Sequence, residues 1–290
     1  AETAGDVRRA KREGKLAAML RGAEAATGEI LVFSDANNSY APGTLSAIVA
    51  PFADPGVGVT TGRKIIDEGD RRSLDHAEGL YWRYESKLKA WESATGSVSG
   101  VSGEVIAFRA GSFPELDAGT MNEDFAQAMT AAVAGWRVVY APEAISVERA
   151  SATVGDELVR RSRLVTGRGQ ALARLLPGLA RHDPDLAFRV ISHKGLRPLV
   201  PFAMIAAIVS NALLVRDRRS SPVWVTALAA AQVGFYTAAA AGWLNERHGR
   251  RNRALYLPYY FCRANAATLR GCADFVLGRH EAVWTKVRRA

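Results

Sequence analysis

Residues 28–40, GEILVFSDANNSY, have the pattern of a strand that ends in a carboxylate, and the rest of the chain is organised around this stretch. The apolar run at 30–33 lies between Gly28 and a polar cluster, a pattern that predicts a strand buried on both faces of a sheet. Asp35 and Asn37 follow at once. Ligands of open α/β sheets bind beyond the carboxyl ends of strands, so these two side chains are candidates for holding a metal ion or a phosphate. The alternative is an Asp/Asn turn that only closes the strand, and these residues alone leave both interpretations open.

Helical and strand patterns alternate over the first two thirds of the chain, as is typical of an α/β domain. Helices are predicted at 15–26, 74–94, 125–134 and 156–175, and strands at 57–61, 105–108 and 136–140. The helix at 74–94 carries four aromatic residues at helical spacing, which favours a place in the core over a ligand platform. They are Tyr81, Trp82, Tyr84 and Trp91.

Three further stretches carry residues suited to a ligand site. The loop GSVSGVSG at 96–103 is rich in glycine, which lets the backbone approach a ligand closely. Glu123 and Asp124 open a helix, where two acids also suit the helix dipole, so a capping role is the alternative. The helix at 156–175 is basic, and its guanidinium groups suit a diphosphate, with a solvated charged face as the alternative. Its arginines are Arg160, Arg161, Arg163 and Arg168.

The chain is basic, with a net charge of +9, and residues 245–290 hold ten Lys/Arg against three Asp/Glu. This tail follows two uncharged apolar stretches, 198–215 and 222–244, each near the length that crosses a bilayer. We therefore expect membrane lipid, and not nucleic acid, to face the positive charge. Two buried core helices are the alternative. The apolar stretch at 255–277 contains charged residues, and is either a third span packed against protein or an interfacial helix.

The cysteines and the start of the chain carry less information. Cys262 and Cys272 are too few for a disulfide framework, and we interpret them as small buried residues.

The first predicted strand begins only near residue 29, whereas a doubly wound domain normally has an earlier βαβ unit. We therefore expect the natural protein to have an N-terminal portion before Ala1.

The order of these motifs resembles the family 2 glycosyltransferases, inverting and membrane-attached enzymes that include makers of cellulose, hyaluronan and bacterial exopolysaccharides. The resemblance implies an α/β fold: a GT-A-like, Rossmann-related mixed sheet with flanking helices, incomplete at the N-terminus and followed by C-terminal transmembrane or interfacial helices. It implies a catalytic domain at 1–188 and a membrane region at 189–290. The motifs are REGKLAAML, GEILVFSDAN, PFADPGVGVTTGR, GLYWRYESKL, GSVSGVSGEVIAFR, NEDF, GWRVVYAPEA and RRSRLVTGRGQAL.

The resemblance also implies roles for single residues. Asp35 and Asn37 would coordinate a divalent metal, Mg²⁺ or Mn²⁺, and the donor diphosphate, with Asn in place of the second acid. Asp124 would be the general base that deprotonates the acceptor hydroxyl. Leu164 stands where processive members carry Trp, which favours a transferase that adds one or a few sugars. Donor binding falls to Lys15, Arg160, Arg161 and Arg163, and acceptor binding to Gly100, Ser102, Gly103, Glu104 and Glu123.

The implied function is transfer of a sugar, with inversion, from a nucleotide-sugar donor to an acceptor hydroxyl. The implied donor is a UDP-sugar, and the acceptor is a saccharide or a lipid-linked molecule. The reaction would serve polysaccharide or glycolipid synthesis at the cytosolic face of the cell membrane, by a multi-pass protein. The alternative is a non-catalytic glycosyltransferase-like subunit of a polysaccharide assembly complex.

Overall fold

The computed structural model describes residues 14–67, 73–149, 154–216, 222–250 and 252–279. Its strands are β1 (Ile30–Ser34), β2 (Ser39–Tyr40), β3 (Val57–Asp67), β4 (Val105–Arg109) and β5 (Arg137–Arg149). Its α-helices are α1 (Lys15–Ala25), α2 (Thr44–Val49), α3 (Ser73–Thr95), α4 (Glu123–Val133), α5 (Val154–His182), α6 (Pro184–Val190), α7 (Val200–Arg216), α8 (Val223–Arg247) and α9 (Arg253–Val276). A π-helical turn, Ile191–Gly195, and a 3₁₀ turn, Arg197–Leu199, join α6 to α7.

The strands form one mixed sheet in the order β1-β4-β3-β5-β2. β4 runs antiparallel to β1 and to β3, and β2 runs antiparallel to β5, while β3 and β5 are parallel. Helix α4 packs on one face of this sheet, where Ile106, Phe108, Phe125 and Met129 belong to the main hydrophobic core. The mixed α/β sheet with flanking helices confirms the predicted fold class.

Strand β1 lies at the edge of the described sheet, which corrects the prediction that both its faces are buried. Leu31 is buried, but Val32, on the opposite face, is 37% exposed. The strand that is buried on both faces is β4, which lies between β1 and β3 and in which Val105, Ile106 and Phe108 are fully buried. An apolar run of four residues looks the same in an edge strand and in a central one, so its position depends on pairing partners that are distant in sequence.

Helix α3 does not bury its aromatic residues as predicted. Tyr84 is 55% exposed and Trp91 is 69% exposed. The buried stripe of this part of the helix is polar, and consists of Glu85, Lys89 and Glu92. The reason is that α3 packs against a segment that supplies matching charges: Lys194 and Arg197 lie 2.6 Å and 2.5 Å from the carboxylate of Glu85.

The C-terminal helices follow the predicted apolar stretches. Among the described residues, two helical segments, Pro184–Arg216 and Val223–Arg247, are long and apolar enough to cross a membrane. Helix α9 covers the stretch at 255–277 and packs along the basic helix α5, where Thr166 Oγ1 donates to the carbonyl oxygen of Gly271 at 2.9 Å. Because α9 contacts both α5 and α8, it joins the sheet domain to the apolar helices.

Candidate active site

One cavity of about 110 Å³ gathers polar residues from five parts of the fold. Lys15 enters from the first turn of α1, and Asp35 from the end of β1. The two residues that precede β4, 103 and 104, form one wall of the cavity. The start of α4 and the first half of α5 supply the rest of the lining. The other lining residues are Gly103, Glu104, Asn122, Glu123, Asp124, Arg160, Arg163 and Leu164.

Asp124 lies in the first turn of α4, with its carboxylate in the cavity. The backbone N–H of Phe125 donates to its Oδ1 at 2.8 Å. Gly103 leaves room for this carboxylate, because a Cβ at that position would lie only 2.6 Å from Oδ2. Burial, with a further contribution from the neighbouring Glu123, raises the pKa of Asp124 to about 6. A carboxylate with such a pKa suits proton transfer near neutral pH.

Asn122 sets the start of α4 in a strained backbone conformation. Its φ of 56° is the one positive φ of a non-glycine residue in the part of the chain that the structure describes. Asn tolerates this left-handed conformation better than most residues, and such strain is frequent at functional sites. Asn122 belongs to the NEDF motif, but it has no role of its own among the sequence-based predictions; it directly precedes α4, and its side chain makes no capping hydrogen bond there.

Lys15 connects the acids of the cavity. Its Nζ lies 2.7 Å from Asp35 Oδ1 and 3.6 Å from Glu123 Oε1, and it donates to the carbonyl oxygen of Gly103 at 3.4 Å. Burial lowers the pKa of Lys15, but the negative charges of Asp124, Asp35 and Glu123 outweigh it and raise the pKa above its usual value. Lys15 is therefore a fixed positive charge at the meeting point of α1 and β1.

The arginines predicted to bind the donor separate into two groups. Arg160 and Arg163 line the cavity. Arg161 instead lies beside α9, where its Nη2 donates to the hydroxyl of Tyr260 at 3.2 Å. On a helix, adjacent residues point in directions about 100° apart, so Arg160 and Arg161 face different sides, whereas Arg160 and Arg163, three residues apart, share a face.

The glycine-rich loop reaches the cavity only at its end. Gly103 and Glu104, two of the residues with a predicted acceptor role, line the cavity. Ser102 is buried behind it, where its backbone N–H donates to Thr61 Oγ1 at 2.9 Å and its Oγ accepts from Lys89 at the same distance. Gly100 faces Lys194, whose Nζ would lie 2.8 Å from a Cβ at that position. Gly100 and Ser102 thus shape the loop from outside the cavity.

The acids of the cavity partly fit the divalent metal that the resemblance implies. Asp35, Glu123 and Asp124 offer carboxylate oxygens to the same cavity, although among the described residues no group of three or more His, Cys, Asp or Glu is close enough to hold a metal ion by itself. Mg²⁺ commonly takes one or two carboxylates and completes its shell with substrate phosphates and water. Asp35 fits such a shared site. Asn37 does not line the cavity, since its Nδ2 donates to Glu148 Oε1 at 3.0 Å.

Comparison with known proteins gives the family. Residues 30–244, well over half of the chain, match the model of glycosyl transferase family group 2. The chain belongs to this family. It is therefore a glycosyltransferase, and its chemistry is sugar transfer. No curated protein matches the chain.

A solved structure supports the fold of this family 2 glycosyltransferase. A mannosyltransferase from Pyrobaculum calidifontis, in complex with GDP-Man and Mn²⁺, matches with a TM-score of 0.60 and 23% sequence identity. The match covers 94% of this chain and 70% of the mannosyltransferase. At this identity the likeness establishes the fold, and it confirms the predicted GT-A-like architecture.

Proposed function

We propose that this family 2 glycosyltransferase transfers a hexosyl group, with inversion, from a nucleotide-sugar donor to an acceptor hydroxyl. The observation that carries the proposal is Asp124, a carboxylate with a pKa of about 6 in a cavity that it shares with cationic side chains. A base and positive charge in one small cavity are what direct displacement of a diphosphate needs.

The proposed step is a single in-line displacement. Asp124 takes the proton of the acceptor hydroxyl while the acceptor oxygen forms a bond to the anomeric carbon of the donor sugar. The bond from that carbon to the diphosphate oxygen breaks on the opposite side, and the electron pair leaves with the nucleoside diphosphate. One displacement inverts the anomeric centre, and Glu104 and Gly103 would form the wall beside the acceptor.

The negative charge that develops on the diphosphate would be met by Lys15, Arg160 and Arg163, the three cationic side chains that line the cavity. A divalent cation, Mg²⁺ or Mn²⁺, held at Asp35 would supply further positive charge when bound. The Mn²⁺ and GDP-Man of the Pyrobaculum calidifontis mannosyltransferase support a metal and a nucleotide sugar for this chain as well. The resemblance favours a UDP-sugar, so donors with both nucleotides belong in the assay.

We place the reaction at the cytosolic face of the cell membrane, in polysaccharide or glycolipid synthesis with a saccharide or lipid-linked acceptor. Support comes from the two apolar helical segments and from the basic residues that follow them, which the positive-inside rule assigns to the cytosol. In this proposal residues 1–188 form the catalytic domain and 189–290 the membrane region, which meet within α6.

The test is turnover of sugar nucleotides by the full-length protein in detergent, with Mn²⁺ or Mg²⁺ and with release of nucleoside diphosphate as the readout. Asp124→Asn keeps the size of the side chain and removes the base, so we expect a loss of roughly 10²–10⁴-fold with an unchanged thermal midpoint. An active Asp124→Asn enzyme would contradict the proposed role of Asp124.

The second candidate is a non-catalytic subunit of a polysaccharide assembly complex. The observation that favours it is residue 37, where the acid of the metal-binding motif is replaced by Asn and the side chain contacts Glu148. This candidate predicts no turnover of any donor by the full-length protein. It also predicts that Asp124→Asn changes no phenotype of the producing cell.

A further inference from the structure

The resemblance assigns Asn37 to the metal together with Asp35. The hydrogen bonds of Asn37 are instead with residues that do not line the cavity. Its Nδ2 donates to Glu148 Oε1 at 3.0 Å and to Asn38 Oδ1 at 3.1 Å. A cation would be held by Asn37 Oδ1, but the side chain lies outside the lining of the cavity, beside Glu148. We infer that Asn37 is a positioning residue and not a metal ligand, because its exposed side chain donates to Glu148 and so joins a polar network, buried at Lys64 and Glu148, that holds the Glu104 wall of the cavity.

The network is centred on Lys64, which is 2% exposed. The Lys64 ammonium pairs with the buried Glu148 and, at 2.6 Å, with Glu104, and it lies 4.7 Å from the centre of the Trp82 ring. Buried charges are tolerated only where partners satisfy them. Glu148 Oε1 also accepts from the side chain at position 37, where an amide can donate and an ionised carboxylate cannot, so this position favours a neutral donor. Asn provides that donor.

An Asp at position 37 would instead bring a third carboxylate to hydrogen-bond distance of Glu148. Like charges at that distance oppose ionisation of both groups. The replacement of the second acid by Asn is therefore explained by Glu148, at the far end of β5, more than 100 residues away in sequence.

The network ends at the cavity. Glu104 lines the cavity with Asp35 and Asp124, and its backbone carbonyl oxygen accepts a hydrogen bond from Tyr40 at 3.3 Å. Although burial raises the pKa of Glu104, Lys64 lowers it to about 2, so this carboxylate stays ionised and does not exchange protons near neutral pH. The turn after β1 is thus held at one end by Asp35 and at the other by the Lys64 network. This arrangement fixes the separation between Asp35 and the Glu104 wall.

The expected effect on Mn²⁺ binding rests on the proposed function, because it requires the donor site. The expected effect on thermal stability does not depend on that site. The full-length protein in detergent is compared in five forms: wild type, Asn37→Asp, Glu148→Gln, the exchange variant with both changes, and Asp35→Asn. Thermal unfolding is measured for each form. Binding of Mn²⁺ is measured by electron paramagnetic resonance, alone and with GDP or UDP.

We expect Asn37→Asp to lower the thermal midpoint by a few degrees and to weaken binding of Mn²⁺ with nucleoside diphosphate by about tenfold. The exchange variant Asn37→Asp/Glu148→Gln restores one donor and one acceptor at the same net charge. It should therefore recover both quantities. Asp35→Asn should weaken Mn²⁺ binding, alone and with nucleoside diphosphate, by at least about tenfold, as expected for a direct ligand.

Three results would overturn the inference. Tighter Mn²⁺ binding by Asn37→Asp at an unchanged thermal midpoint would make residue 37 a metal ligand. A lower thermal midpoint for Asn37→Asp with unchanged binding of Mn²⁺ in the presence of nucleoside diphosphate would show that the network positions nothing. A loss that the exchange variant does not recover would also contradict it.

If Asn37→Asp does not fold, Asn37→Ala, which adds no charge, replaces it in the binding measurement. It should leave the affinity for Mn²⁺ alone unchanged, and a loss equal to that of Asp35→Asn would overturn the inference. If the wild type binds no Mn²⁺ with either nucleotide, the proposed function fails. The recovery of thermal stability by the exchange variant still decides whether the network exists.

Discussion

At the scale of single residues, the proposed role of Asp124 as the base predicts that the activity of the enzyme depends on pH. Its pKa is raised to about 6, so the base form dominates above pH 6 and is lost as the pH falls through that value. We expect kcat/KM to decrease by about tenfold per pH unit below about pH 6. The measurement is a pH–rate profile with saturating metal. A profile that stays flat down to pH 5 would exclude Asp124 as the titrating base.

Gly103 gives a second prediction at this scale, because its missing side chain makes room for Asp124. A Cβ there would lie 2.6 Å from Asp124 Oδ2 and 3.0 Å from its Cβ, so Gly103→Ala must displace the Asp124 carboxylate, the proposed base. We expect kcat to decrease by about tenfold or more, since misplacement of a reacting group by about 1 Å is costly. Gly111, where a Cβ meets nothing within 4 Å, is the matched control: Gly111→Ala should retain activity.

At the scale of elements, α3 and the segment that leads into α7 are held together by buried charge. Glu85 is buried, and burial by itself would raise its pKa, but Lys194 and Arg197 lower that pKa to about 2. Such a lowered pKa stabilises the fold above the ordinary carboxyl range near pH 4.5. This stabilisation is lost as the pH falls towards 2.

Removing this carboxylate should therefore loosen the contact between the two elements. Glu85→Gln leaves two cationic side chains without their partner, and we expect it to destabilise the protein by about 3–5 kcal/mol at neutral pH. Thermal or denaturant unfolding in detergent measures the effect, with the exposed Glu115→Gln as control. Equal midpoints for both variants would mean that the contact contributes nothing.

At the scale of the whole molecule, the two apolar helical segments predict how the protein behaves in cells. Segments Pro184–Arg216 and Val223–Arg247 are long and apolar enough to cross a bilayer, and most of their large apolar side chains are exposed. We expect the protein to stay in the membrane pellet after washes with high salt and with alkaline carbonate, and to dissolve only in detergent.

The two washes distinguish the alternatives. Release by salt would mean that the basic residues alone attach the protein to anionic lipid, because salt screens such contacts. Release by carbonate but not by salt would mean that the apolar helices do not cross the bilayer. Either release would count against the proposed membrane region.

Much of the fold and part of the site followed from local sequence. The strand before Asp35, the acids that open α4 and the apolar stretches near the C-terminus are patterns of adjacent residues, and each was recognisable without the structure. The apolar run of β1 could not show that this strand lies at the edge of the described sheet. The spacing of Tyr84 and Trp91 could not show that α3 buries a charged stripe, since the matching charges lie about 100 residues further on.

The type of each long element and the chemistry of the residues around Asp35 and Asp124 follow from the sequence, because propensity, apolar periodicity and motif order act over short distances. Which candidates share the cavity follows from the packing of distant segments. It brings Lys15, Arg160 and Arg163 to the acids, turns Arg161 to α9, and directs Asn37 to Glu148. The physical reason is that the direction of a side chain, and the buried charge that it must satisfy, depend on partners that only the packing of distant segments brings together.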